Sequence, residues 1–112
     1  MIPRTTSTIM KQGDTAPALE VVLMENDDPV DLTAAGAVEV VARRAGNPVP
    51  VFVRTMQVED QPGHATYQWQ AGDTDQVGDL QVEFKVTWPG GAVQTFPAQG
   101  YLVVEVVDSI WH

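Results

Sequence analysis

The side chains that could carry covalent catalysis are few and far apart in this sequence. Serine, histidine and lysine, from which nucleophiles and their bases are commonly built, occur twice each, as Ser7, Ser109, His64, His112, Lys11 and Lys85. A nucleophile must lie within hydrogen-bond reach of its base, and a third group must orient that base. Both serines and one histidine fall in the terminal segments, and the other histidine adjoins a predicted turn. We therefore expect no catalytic residues and no enzymatic activity.

Acidic clusters offer a second kind of chemistry, the binding of metal ions. Asp73, Asp75 and Asp79 could supply carboxylate oxygens to calcium, which prefers several oxygen ligands. Their spacing departs from that of the EF-hand loop, which needs ligands at alternate positions and a closing glutamate. A second acidic turn, at residues 25–31, departs from it in the same way. We interpret both stretches as solvated turns and predict neither a metal nor any other cofactor.

The elements that must position these residues are predicted to be β-strands. From residue 80 to residue 88 every even position is apolar and every odd position is polar, which is the period of a strand with one buried face. A helix would scatter the apolar residues around its circumference. The alternation predicts core-facing side chains at Leu80, Val82, Phe84, Val86 and Trp88.

Further strand-like runs are separated by turns rich in proline, glycine, asparagine and aspartate. The runs lie near residues 8–11, 19–23, 38–43, 49–58, 67–69, 93–96 and 102–106. Pro48 and Pro50 should place the start of one of them at a sheet edge, and residues 31–35 could add one helical turn. The pattern predicts an all-β, immunoglobulin-like β-sandwich of seven or eight antiparallel strands, formed as a single domain by residues 1–112.

Composition limits the partners of this domain. The chain has 15 acidic and 6 basic residues, which gives a formal net charge of -9. Nucleic-acid binding draws its affinity mainly from Lys and Arg that neutralise phosphates, so neither nucleic acid nor an anionic membrane is an expected partner. No stretch approaches the roughly 18 apolar residues of a membrane span. The sequence has no cysteine, which suits a protein made in a reducing cytoplasm.

Three aromatic residues bear on a different function, carbohydrate binding. A carbohydrate-binding sandwich often displays a planar strip of exposed aromatic side chains. Trp69, Trp88 and Phe84 instead fall on the predicted core faces, where packing is their expected role. A carbohydrate-binding or host-adhesion module is therefore the alternative interpretation.

Six short segments, taken in their order and spacing, resemble a phage family. They are residues 12–17 (QGDTAP), 29–33 (PVDLT), 67–74 (YQWQAGDT), 83–86 (EFKV), 95–97 (TFP) and 100–104 (GYLVV). Together they resemble the N-terminal domain of the phage baseplate upper protein, an immunoglobulin-like module of tailed-phage structural proteins, over about residues 8–107. A baseplate upper protein carries further regions after this domain, so the resemblance does not extend to attachment of receptor-binding machinery.

The resemblance implies a structural protein of the virion, made in the host bacterial cytoplasm. Its expected partners are other phage structural proteins, of the tail, the baseplate, the portal or neck, or the capsid. Copies of the chain itself are expected in a symmetric assembly. The place in the particle stays open at this point.

The two chain ends are the candidate protein interface. Ile110 and Trp111 follow the last predicted strand, which should end near Val107. Tryptophan is favoured as an interface anchor because it buries a large area with few rotatable bonds. At the other end, Ile2 and Arg4 precede the first strand. We expect these side chains to contact either a sheet edge of this domain or a neighbouring subunit.

Overall fold

The structure of the protein is a computed structural model that describes residues 4–5 and 9–111. Every secondary-structure element in these residues is a β-strand, so the fold class is all-β, as predicted. In chain order the strands are β1 (Arg4–Thr5), β2 (Ile9–Lys11), β3 (Leu19–Val22), β4 (Met24–Glu25), β5 (Asp28–Pro29), β6 (Ala37–Arg44), β7 (Pro50–Thr55), β8 (Gln57–Val58), β9 (His64–Tyr67), β10 (Gly78–Thr87), β11 (Val93–Phe96) and β12 (Leu102–Val107). Within the described ranges, no helix is long and apolar enough to cross a membrane.

Two sheets contain most of these strands. Sheet I has the order β1, β3, β9, β8 and is antiparallel throughout. Sheet II has the order β2, β12, β10, β6, β7, and β11 also pairs with β10. The strands β4 and β5 form a separate two-stranded ribbon. Buried residues of both sheets belong to one hydrophobic cluster, so the two sheets share a single core.

The central strand β10 has the predicted register. Leu80, Val82, Phe84 and Val86 are each 0% exposed, which confirms that the even positions face the core. Trp88 lies just beyond the strand and packs, half-buried, against the same core. Its indole Nε1 donates a hydrogen bond to the side-chain oxygen of a neighbouring glutamine at 3.1 Å, so the polar end of the ring has a partner.

The strand predicted near residues 67–69 has different bounds, because β9 begins earlier, at His64, and ends at Tyr67. The preceding Gly63 has a φ of 76°, and an added Cβ would lie 2.6 Å from the carbonyl oxygen of Leu23. Only glycine fits that conformation at that distance, so the chain turns there and β9 starts at the next residue.

The prediction of seven or eight antiparallel strands is wrong in two respects. Twelve strands occur in the described residues, several of them only two residues long, and β2 pairs with β12 in parallel, with Ile9 opposite Glu105. The N-terminal segment pairs first with sheet I through β1 and then with sheet II through β2. Alternation defines which face of a strand is buried, but it carries no information on the direction of the neighbouring strand.

Two smaller expectations concern β7 and the segment before β6. Strand β7 begins at Pro50 and lies at the end of sheet II, so the edge position inferred from the prolines is confirmed. Residues 31–35 form no helix. They contain a turn in which the Ala35 amide donates to the carbonyl oxygen of Leu32 at 3.1 Å, and the Asp31 carboxylate accepts hydrogen bonds from Thr33.

Candidate protein-binding surface

The predicted C-terminal anchor is exposed. Strand β12 ends at Val107, as expected, and Ile110 and Trp111 follow it. Within this chain the Ile110 side chain is fully exposed and the Trp111 side chain is 65% exposed. Ile110 therefore does not pack on a sheet edge of its own domain, and its contact with a neighbouring subunit stays a prediction.

The N-terminal part of the predicted interface is less defined by the structure. Ile2 lies outside the described residues. Arg4 belongs to β1, where its backbone is opposite Val22 of β3. This pairing makes the segment around Arg4 an edge strand of sheet I.

A second surface, which was not singled out from the sequence, is the side of sheet II turned away from the core. We call it the outer face. It is formed by the strand positions that alternate with the buried ones, and its central residues are Val41, Arg43, Val53, Gln81, Glu83 and Val103. Tyr101, which directly precedes β12, lies beside them on the same pocket.

Several apolar side chains on the outer face are exposed to solvent. Val51, Val53, Tyr101 and Val103 have exposed fractions between 38% and 48%. Val51 and Val53 belong to β7, on one side of the central strands β6 and β10. Val103 belongs to β12, on the other side, and Tyr101 directly precedes that strand. Isolated exposed valines need no explanation, whereas several on one sheet face make that face a candidate for contact with another molecule.

Arginine and tyrosine shape a shallow pocket in the middle of this face. The pocket has a volume of about 210 Å³ and its walls include Val41, Pro48 and Pro50. Arg43 Nε donates a hydrogen bond to Gln81 Oε1 at 2.7 Å, and its guanidinium carbon lies 5.9 Å from the centre of the Tyr101 ring. This pocket holds no cluster of bases and nucleophiles. Its chemistry is that of an arginine and an aromatic ring, both common anchors in protein interfaces.

A buried polar network holds the loop after β9 in place. Asp73, only 6% exposed, accepts hydrogen bonds from the Tyr67 hydroxyl at 2.5 Å and from the Gln70 amide at 2.9 Å. Its other oxygen lies 3.4 Å from Arg54 Nη2, which forms an ion pair with it. Burial, reinforced by the hydrogen bond to Asp73 and the charge of Asp73, raises the pKa of Tyr67 well above its ordinary value.

This network corrects the interpretation of the 73–79 stretch. Asp73 does not lie in a solvated turn, because protein donors already occupy its carboxylate. Asp75 and Asp79 are exposed. Among residues 4–5 and 9–111, no group of three histidine, cysteine or acidic side chains lies close enough to hold a metal ion.

The tripeptide Gly-Asp-Thr occurs twice, at residues 13–15 and 72–74, and its two copies meet in the structure. Thr74 Oγ1 donates a hydrogen bond to the Asp14 carbonyl at 2.8 Å, and the Gly13 amide donates to the Thr74 carbonyl at 3.0 Å. The loop after β9 is thereby tied to the segment that follows β2.

The aromatic residues considered for carbohydrate binding belong to the core. Trp69 and Phe84 are buried, which confirms their predicted packing role, and Trp88 is half-buried. Phe52 stacks on Tyr67 with ring centres 5.7 Å apart, and Trp69 meets both rings edge to face. These side chains form an aromatic cluster between the sheets and no planar strip on the surface.

Comparison with known proteins adds no relative to these observations. Neither a scan against protein-family models nor a search of the curated proteins finds a match to this chain. The features that bear on function are therefore the outer face, the exposed residues after β12 and the sequence motifs.

Proposed function

We propose that this protein is a non-enzymatic structural component of a tailed-phage virion. It docks on other virion proteins in multiple copies, through the outer face and through the residues after β12. The observation that carries the proposal is the set of exposed apolar side chains on one face of sheet II. A face of this kind fits a protein whose work is binding to other proteins.

Strand order supports an immunoglobulin-like sandwich, the fold that the phage resemblance implies. In that fold one sheet has the order A-B-E-D, and the variable type adds C′ to the G-F-C sheet. Taking β1, β3, β9 and β8 as A, B, E and D reproduces the order of sheet I. Taking β12, β10, β6 and β7 as G, F, C and C′ reproduces that of sheet II.

The phage assignment depends on the sequence motifs as well as on the fold. An immunoglobulin-like sandwich hosts many functions, so fold alone does not select one. The motifs at residues 12–17 and 67–74 are part of the resemblance to the baseplate upper protein domain, and the structure joins them through Thr74 and Asp14. The carbohydrate-binding alternative gains no support, because the aromatic residues considered for it pack in the core.

The proposal is tested by looking for the protein in purified particles. Virions from cells that carry this gene through a lytic cycle are banded by density and analysed by quantitative mass spectrometry. We expect the chain in a fixed ratio to the major tail or capsid protein, consistent with the symmetry of the part to which it binds. A chain that is abundant in the lysate but absent from banded particles would contradict the proposal.

A further inference from the structure

We infer that the outer face binds a second copy of this chain, face to face and related by a two-fold axis. The inference rests on the proposed binding function of this face and names its partner. Three features of the face support it: its charge, its arrangement of residues and its size.

Charge is compatible with contact between copies through this surface. The outer face carries three basic residues, Lys11, Arg43 and Lys85, against four acidic ones, Glu39, Asp79, Glu83 and Glu105. The rest of the chain then has three basic and eleven acidic residues. The outer face is therefore nearly neutral, so two copies that meet through it avoid most of the repulsion expected between two chains of net charge -9.

The register of the strands makes the centre of the face self-complementary. Val41 lies opposite Glu83, and Arg43 lies opposite Gln81 on the same pair of strands. Val53 of β7 lies beside Val41, and Val103 of β12 lies beside Gln81, so the line from Val53 to Val103 passes through the centre of this block.

Arg43 and Glu83 lie on opposite sides of the line from Val53 to Val103. A two-fold axis along this line packs Val53 and Val103 of one copy on the same valines of the other, as an isologous contact requires. It also places Arg43 of each copy over Glu83 of the other. Within the described part of the chain, neither residue lies within ion-pair distance of an opposite charge, so both are available for this contact.

The face is large enough for a weak dimer. Its five main strands contain 33 residues, and at about 4.8 Å between strands and about 3.3 Å per residue they cover roughly 520 Å². This is about two thirds of the area that each partner buries in a typical stable interface, which fits a weak association.

The test is the oligomeric state of the full chain, measured by sedimentation equilibrium and native mass spectrometry. We expect a monomer–dimer equilibrium, with dimer detectable below about 500 μM. Salt screens both the repulsion between two acidic chains and the attraction between Arg43 and Glu83, so association is measured at about 20 mM and at about 500 mM salt. A chain that stays monomeric under all these conditions overturns the inference.

A matched pair of valine variants locates the interface. Val103 on β12 and Val58 on β8 are both strand residues with 38% exposure, but only Val103 is on the outer face. V103E should raise the dissociation constant at least about tenfold, whereas V58E should change it less than about threefold. Equal effects of both variants would overturn the inference. If V103E fails to fold, V53E probes the same axis.

Charge reversal tests the two-fold arrangement itself. R43E and E83R alone should each weaken the dimer about tenfold, and the double variant R43E/E83R should return to within about threefold of the original value. A double variant weaker than either single variant would overturn the proposed axis. If the protein dimerised in solution but was absent from particles, the proposed function would be contradicted and this inference would stand. If it was incorporated into particles but stayed monomeric in solution, this inference would be contradicted and the proposed function would stand.

Discussion

The buried network around Asp73 can be tested by removing the hydroxyl of Tyr67. Replacing Tyr67 by phenylalanine keeps the ring and its stacking on Phe52 but removes the donor to Asp73. One oxygen of Asp73 would then keep the Gln70 amide alone, and the other would keep only the 3.4 Å contact with Arg54. Because the Asp73 side chain is only 3% exposed, water cannot readily replace the lost donor.

The expected cost follows from these contacts. A hydrogen bond to a charged group contributes roughly 1.5 to 3 kcal/mol. The Tyr67 hydroxyl also accepts a hydrogen bond from Arg54, but losing it should change the stability little. The Arg54 side chain is 31% exposed, so water can take the place of the hydroxyl. We therefore expect Y67F to lower the free energy of unfolding by about 2 kcal/mol, a substantial part of the roughly 5 to 15 kcal/mol of such a domain.

The measurement is urea unfolding at pH 7, followed by tryptophan fluorescence. With a slope of about 2 kcal/mol/M, the midpoint should fall by about 1 M. Y101F is the control, because Tyr101 is 44% exposed, and it should shift stability by less than about 0.5 kcal/mol. Equal stability of Y67F and the unaltered protein would refute the reasoning.

Alkaline pH gives an independent signature of the same group. The pKa of Tyr67 is raised in the folded state, while in the unfolded state it returns to its ordinary value of 10. Below pH 10 both states keep the proton, and the stabilisation is complete. Above pH 10 the unfolded state loses the proton first, so stability should fall with rising pH. Y67F should lack this component of the alkaline loss.

Three further outcomes are expected. F84A should lower the free energy of unfolding by about 3 to 5 kcal/mol because Phe84 is fully buried, whereas K85A on the opposite face should lower it by less than about 0.5 kcal/mol. If thermal unfolding showed K85A to be the less stable variant, the register of β10 would be contradicted. Thermal midpoints with calcium and with chelator should agree within about 1 °C, and a rise of several degrees with micromolar calcium would contradict the role given to Asp73. Deletion of residues 110–112 should leave the thermal midpoint unchanged and abolish incorporation into particles; normal incorporation would remove the C-terminal anchor.

Alternation in the sequence was sufficient to predict the core side of the long strands. In β10, β12 and β3 the apolar residues recur at every second position, and burial of one face is what that period encodes. It was not sufficient for the network around Asp73. An acidic residue in a turn is ordinarily solvated, and only the fold brings Tyr67 and Arg54 to its carboxylate.

The outer face was visible in the sequence only in part. Val49, Val51 and Val53 alternate on one side of their segment, but a single strand does not reveal which strands lie beside it. The surface becomes a site when β6 and β10 place Val41 and Gln81 next to β7 and β12. Strand order is decided by the whole chain, and local periodicity carries no record of it.

The edges of sheet II explain why copies should meet through the face. An exposed edge strand offers unpaired amides and carbonyls to another chain, and proteins limit this with prolines or short edge strands. One edge, β7, begins at Pro50, which has no amide hydrogen to donate, and the other, β2, is only three residues long. Edge-to-edge extension of the sheet is therefore disfavoured at these two edges. Ile110 and Trp111 follow β12 and lie outside the strands that form the outer face, so self-association and the proposed docking would use separate parts of the chain.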